Sequence, residues 1–96
     1  AKIGLLNTQK WQAYYNDGDV FIKRYPYFKD AIYPDYNCNT ELYTDLNIFE
    51  LETLSPLKTV SPDDFIEHKE TWQLFKVDID ESEDSIDKCL IPLINS

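Results

Sequence analysis

Short runs of apolar and β-branched residues, each bounded by turn-forming residues, recur along most of this chain. That is the pattern of strands and tight connections. Lys2 to Leu6 predicts a first strand. Trp11-Gln-Ala-Tyr-Tyr15 and Val20-Phe-Ile-Lys23 flank Asn16-Asp-Gly-Asp19. Asp17-Gly18 between two β-prone runs predicts a hairpin, because Gly accepts the positive φ of a tight turn. Tyr25 to Asp35, with Pro26, Pro34 and several aromatic rings, reads as an irregular loop packed by its own side chains. Asn39 to Thr44 and Ile48 to Leu54 predict a second hairpin over Asp45-Leu46-Asn47, ended by Ser55-Pro56. Leu57 to Val60 reads as a brief edge strand. Ser61-Pro-Asp-Asp64 reads as a turn with Pro at its second position, and Phe65 to Val77 as the longest strand.

From Ser82 the period changes. Ser82 is placed to cap a helix with Ser85 three positions on, acids crowd the first turn, and Ile86, Cys89 and Leu90 share one face. Pro92 is expected to stop it, so the helix is predicted over residues 83–91. Five or six strands and one terminal helix predict a mainly β fold. The expected architecture is an antiparallel β-sandwich, or part of one, with a short C-terminal helix, over a single domain of residues 1–96.

The second hairpin carries unusual chemistry. If it turns at Asp45-Leu46, Tyr43 pairs with Ile48, Glu41 with Glu50 and Asn39 with Glu52. Asn39, Glu41, Tyr43, Glu50 and Glu52 then share one face, and Leu42, Phe49 and Leu51 the other. Like charges facing each other across strands destabilise a sheet. A face of this kind suits an open groove that offers carboxylate acceptors and a Tyr ring to a hydroxyl-rich ligand such as a sugar. The plain alternative is a solvent-facing strand pair, with its Glu residues matched to Lys10, Lys23 or Lys58. A Ca²⁺ site wants six or more oxygens, and no tight acidic loop supplies them. Asp78 and Asp80 with Glu81 read as a solvated approach to the helix. No metal and no cofactor is expected.

Eighteen acidic residues against nine basic ones leave a net charge of −9, which argues against nucleic acid and anionic membranes as partners. No run approaches the ~20 apolar residues that span a bilayer. Two cysteines, Cys38 and Cys89, are too few for a disulfide scaffold and favour free thiols in a reducing, cytoplasmic setting. A chain that opens at Ala1 and holds no Met is expected to be a fragment or a processed product.

Tyr33-Pro-Asp35, Cys38-Asn-Thr-Glu-Leu-Tyr-Thr44, Phe49-Glu-Leu-Glu-Thr-Leu-Ser-Pro-Leu57 and Thr71-Trp72, in that order, resemble the carboxyl-terminal part of galactose-mutarotase-like (aldose-1-epimerase-like) proteins of bacteria. The resemblance covers roughly Lys2 to Leu74; its most specific parts are Glu-Leu-Tyr-Thr and Leu-Glu-Thr. It implies a piece of a large antiparallel supersandwich. In the family a Leu-Glu-Thr element carries the catalytic base, which by motif is Glu52, and the preceding Tyr-Thr element places Tyr43 and Glu41 near the sugar. The implied reaction removes the anomeric hydroxyl proton while an acid protonates the ring oxygen. The family's acid histidines belong to an amino-terminal portion that these residues do not include. The single histidine, His68, does not match them and reads as an exposed or edge-strand imidazole. Leu54 stands where a Gln-like partner would follow.

Three readings result. The chain is the terminal part of a sugar epimerase with Glu52 as base, and is itself inactive. Or it binds a hexose without turnover through Glu41, Tyr43, Asn39, Glu52 and Trp11. Or it is a structural domain whose open strand edges pair with a second copy or with the rest of its protein.

Overall fold

Asp17 and Gly18, with φ of 50° and 84°, form the two-residue turn the sequence predicts. Both central residues of such a turn need positive φ, which Gly takes freely and Asp tolerates. In the computed structural model, which describes residues 1–45, 47–80 and 82–95, this turn joins the second and third of six strands. These are β1 (Lys2–Leu5), β2 (Trp11–Asn16), β3 (Asp19–Arg24), β4 (Thr40–Thr44), β5 (Phe49–Thr53) and β6 (Thr71–Lys76). They form two antiparallel three-stranded sheets, ordered β1-β4-β5 and β2-β3-β6. A single turn, α1 (Pro34–Asn37), precedes β4, and a helix, α2 (Glu83–Ile94), follows β6. The chain divides into two compact units, Ala1–Lys10 with Tyr25–Glu70, and Trp11–Arg24 with Thr71–Ser96.

In the second unit β3 is the central strand. Alternation sends Val20 and Ile22 to one face, where both are buried and meet Ile79, Ala13, Phe75 and Val77. Cys89, Leu90, Leu93 and Ile94 of α2 close over them. Burying each β-branched side chain of β3 contributes roughly 1.5–3 kcal/mol. β6 is shorter than the predicted Phe65 to Val77. It runs only where β3 lies beside it, from Thr71 opposite Arg24 to Lys76 opposite Asp19. Phe65 to Glu70 lies outside the described strands, because a strand lasts only as long as its partner.

Ser82 caps α2 as expected, its hydroxyl accepting the Ser85 amide at 3.2 Å. The helix does not stop at Pro92 but runs to Ile94. Proline removes one donor, yet its fixed φ is compatible with a helix. The far end is held from outside. Arg24 Nη2 donates to the carbonyls of Ile94 at 2.8 Å and Leu93 at 3.2 Å, and its Nε donates to Gln73 at 2.8 Å. A guanidinium at a helix C-terminus satisfies orphan carbonyls and faces the negative end of the helix dipole.

In the first unit β4 is central and a polar network anchors it. Asn39, fully buried, accepts the Asn7 amide on Oδ1 at 2.6 Å and donates Nδ2 to the Asn7 carbonyl at 2.7 Å. The Tyr25 hydroxyl accepts from Asn7 Nδ2 at 2.7 Å and shares a hydrogen bond with Thr40 Oγ1 at 2.7 Å. Burial raises the Tyr25 pKa, partly offset by the bonds from Thr40 and Asn7. The loop before β4 packs on its own rings, Tyr27 stacking on Tyr33 at 6.2 Å while the Tyr33 hydroxyl accepts the Phe28 amide. Residues 57–60 are not a strand. Leu57 makes one backbone bond, to Ile32.

Candidate functional site

The turn of the second hairpin is wider than the sequence suggests, and its strands are slightly shorter, Thr40–Thr44 and Phe49–Thr53. The Asp45 carboxylate accepts the amides of Asn47 at 2.7 Å and Ile48 at 2.8 Å, and these bonds hold its pKa below the ordinary Asp value. An Asp that bonds its own downstream backbone builds a wider turn. Leu46, part of the predicted turn, lies outside the described residues. Pairing therefore begins at Thr44 with Phe49, and Glu41 faces Glu52 while Tyr43 faces Glu50. This corrects the predicted register by two residues. Because the side-chain period is two, the faces are unchanged. Glu41, Tyr43, Glu50 and Glu52 still share one face, opposite Leu42, Phe49 and Leu51.

β1 completes that face. Its register sets Lys2 beside Tyr43 and Gly4 beside Glu41. Lys2 Nζ reaches diagonally to Glu41 Oε2 at 2.9 Å. The pair is lopsided: the Lys2 side chain is 59% exposed and that of Glu41 is 4% exposed. Glu41 Oε1 is buried and accepts no hydrogen bond from the described residues. The hydrogen bond to Glu41 raises the Lys2 pKa, and the charges of Glu41, Asp35 and Glu52 add to the effect. The cation that answers Glu41 is thus Lys2, not Lys10, Lys23 or Lys58.

An open hollow of about 510 Å³ lies over this pair, lined by Lys2, Gly4, Asp35, Tyr36, Cys38 and Glu41. Its floor is tight. A Cβ on Gly4 would sit 2.8 Å from Cys38 Sγ, so any larger residue there has to push the thiol aside. Its wall is α1, where Asp35, Tyr36 and Asn37 hold φ of 50°, 62° and 66°. Three successive non-glycine residues in the left-handed region are costly, about 1–2 kcal/mol for a residue such as Tyr. Two bonds hold the turn: Cys38 N donates to Pro34 O at 2.9 Å, and Asn37 Oδ1 accepts from Tyr33 N at 3.0 Å. This conformation leaves the Tyr36 ring entirely in solvent.

The residues singled out from the sequence stand as follows. Glu41 lines the hollow. Glu52 is directly opposite it in β5 but is exposed and does not line the hollow, whereas it was expected to look into one. Tyr43 is half-buried, its hydroxyl donating to Asp45 Oδ2 at 3.3 Å. Asn39 has both side-chain polar atoms engaged by Asn7, which makes it a clamp on β4. Trp11 belongs to the second unit, in β2 opposite Arg24. Sequence reasoning missed Lys2, Gly4, Asp35, Tyr36 and Cys38. The usable signals were a lone Gly within a strand pattern and the Pro-Asp turn.

His68 is not an exposed edge-strand imidazole. It is half-buried in an irregular segment, its Nε2 2.7 Å from Thr53 Oγ1, and Thr53 also bonds Glu70. Thr53 faces away from Glu52, so this imidazole serves the other side of β5. Both cysteines are free thiols. Among the described residues no three His, Cys, Asp or Glu side chains converge to hold a metal. None of the described helices is long and apolar enough to cross a membrane. Glu81, paired with Asp78 and Asp80 in the sequence reading, lies outside the described residues.

Comparison with protein-family models, with curated proteins and with solved structures gives no match.

Proposed function

We infer that this chain binds a carbohydrate in the hollow over Glu41, without turning it over, and that its sheets are the end of a galactose-mutarotase-like supersandwich. One observation carries the reading. A carboxylate 4% exposed keeps one oxygen without a donor at the wall of an open hollow. A buried acceptor left unmatched costs about 1–3 kcal/mol, which a ligand hydroxyl or amine recovers on binding. The exposed Tyr36 ring offers a flat apolar face to sugar C–H groups. Glu52, opposite Glu41 on the same face, adds negative charge that acts on Lys2.

Catalysis is the second reading, and it belongs to a longer protein. Glu52 would act there as the base of an aldose-1-epimerase-like isomerase, with an acid supplied by other residues. Within this chain the one histidine bonds on the far side of β5, which favours holding a sugar over opening its ring. Two unpaired thiols fit a cytoplasmic protein. The apolar face of the first sheet, with Ile3, Leu5 and Phe49 exposed, fits pairing with a second copy or with the rest of a supersandwich.

The experiment is a titration of D-galactose and D-glucose into the chain, followed by two-dimensional amide NMR. Shifts confined to Gly4, Tyr36, Cys38 and Glu41 are expected. Silence at millimolar sugar removes the carbohydrate reading and leaves the self-association one. Polarimetry on a longer parent carrying Glu52→Gln tests the catalytic reading, and undiminished anomer exchange there would remove Glu52 as the base.

A further inference from the structure

The ion pair under the hollow joins a fixed partner to a loose one. Glu41 is held in the central strand of its sheet, paired with Gly4 of β1 on one side and with Glu52 of β5 on the other. Lys2 reaches it from an edge strand, on a long stem that lies mostly in water. Lys2 takes Glu41 Oε2, while Oε1 is buried without a donor among the described residues. A ligand cation that takes the Oε2 side of this carboxylate therefore moves the Lys2 side chain aside.

Moving Lys2 has a consequence that depends on the ligand's charge. A neutral sugar donates to Oε1 with Lys2 kept in place, because displacing the ammonium would leave a buried carboxylate without a counter-charge. A ligand that brings its own ammonium replaces one cation by another and can donate to Oε1 as well. Such charge-assisted hydrogen bonds are about twice as strong as neutral ones. The surroundings favour the same choice: Asp35, Glu41 and Glu52 all act on the single Lys2 charge, so the hollow is acidic on balance. The chain's net charge of −9 adds long-range attraction for a cation.

We propose that the hollow selects a sugar bearing a primary ammonium, a hexosamine, whose amine takes the place of Lys2 at Glu41, and that it rejects uronic acids and sugar phosphates. This rests on the carbohydrate reading and specifies its ligand class. Lys2 is in this account a resident stand-in for the ligand's amine, keeping Glu41 compensated while the hollow is empty.

The test is calorimetric or NMR titration with D-glucosamine, N-acetyl-D-glucosamine, D-glucose and D-glucuronate, at a pH where the amine is protonated. D-Glucosamine is expected to bind at least tenfold tighter than its N-acetyl form or D-glucose, D-glucuronate not at all, and added salt to narrow the gap. Lys2→Gln removes the competing ammonium and should tighten D-glucosamine severalfold, and by more than it tightens D-glucose. Asp35→Asn keeps a residue that tolerates positive φ, so the fold is preserved, and should reduce the hexosamine preference severalfold. Equal binding of D-glucosamine and its N-acetyl form overturns the ammonium selection and leaves carbohydrate binding standing. Unchanged preference in Asp35→Asn and in Lys2→Gln also overturns it. Failure of every sugar to bind removes both readings together.

Discussion

Replacing Arg24 is the sharpest test of how the second unit is held together. Its guanidinium makes three hydrogen bonds, to Ile94 O at 2.8 Å, Leu93 O at 3.2 Å and Gln73 Oε1 at 2.8 Å. The helix carbonyls can be rehydrated once the arginine is gone, so each bond is worth about 0.5–1 kcal/mol, the lower part of the usual range. Loss of a cation at the helix C-terminus adds about 0.3–1 kcal/mol. Arg24→Met, which keeps the aliphatic stem, should therefore destabilise the unit by about 2–3 kcal/mol. For a chain of this length that is a fall in melting temperature on the order of 10 °C. Arg24→Lys keeps the charge but not the planar fork, and should lose about 1 kcal/mol. The assay is thermal and urea unfolding followed by far-ultraviolet circular dichroism, with amide exchange at Asn95 as the local reporter. Asn95 N donates to Ile91 O at 3.0 Å, so its protection reads the last turn directly. If the Met and Lys variants both melt within a degree or two of the parent, with Asn95 still protected, Arg24 does not hold α2 past Pro92 and the reasoning is wrong.

Three further outcomes are expected. Gly4→Ala should destabilise the first unit by about 1–3 kcal/mol through overpacking against Cys38, and Cys38→Ala should recover most of that loss in the double variant; additive losses in denaturant unfolding would show the two sites to be uncoupled. Tyr25 should be the last tyrosine to ionise in an ultraviolet phenolate titration, because burial raises its pKa. Its contribution to stability is full below the ordinary Tyr value of about 10 and is lost as pH rises through the higher folded value; Tyr25→Phe should flatten stability over that alkaline window. The Asp45 carboxyl, whose pKa is lowered by the Asn47 and Ile48 amides, should release those amides to exchange only as pH falls below the ordinary Asp range, and Asp45→Ala should expose them at neutral pH.

What could be read from the sequence was local. Asp17-Gly18 fixed its hairpin because the turn residues and the flanking strands agree, and Ser82 announced α2 because a cap bonds within one turn. The polar face of the second hairpin was also legible, since alternation survives any even shift of register. The shift itself was not, because it depends on Asp45 folding its carboxylate back onto Asn47 and Ile48. α2 outran Pro92 through Arg24, which is distant in sequence. The site was the least legible part. Glu41 and Glu52 look equivalent in a strand pattern, yet only Glu41 is buried, because β1 lies beside β4 and brings Lys2 to it. Nothing local to the Glu-Leu-Tyr-Thr run announces that neighbour.

The central claim is that Glu41 is the acceptor that holds a sugar, and Glu41→Gln tests it most directly. The amide keeps size and shape but loses the negative charge and half the acceptor capacity. Calorimetric titration of D-galactose and D-glucosamine into the folded variant, checked by circular dichroism, should show affinity reduced at least tenfold for both sugars. Undiminished binding of both by the Gln variant would contradict the account.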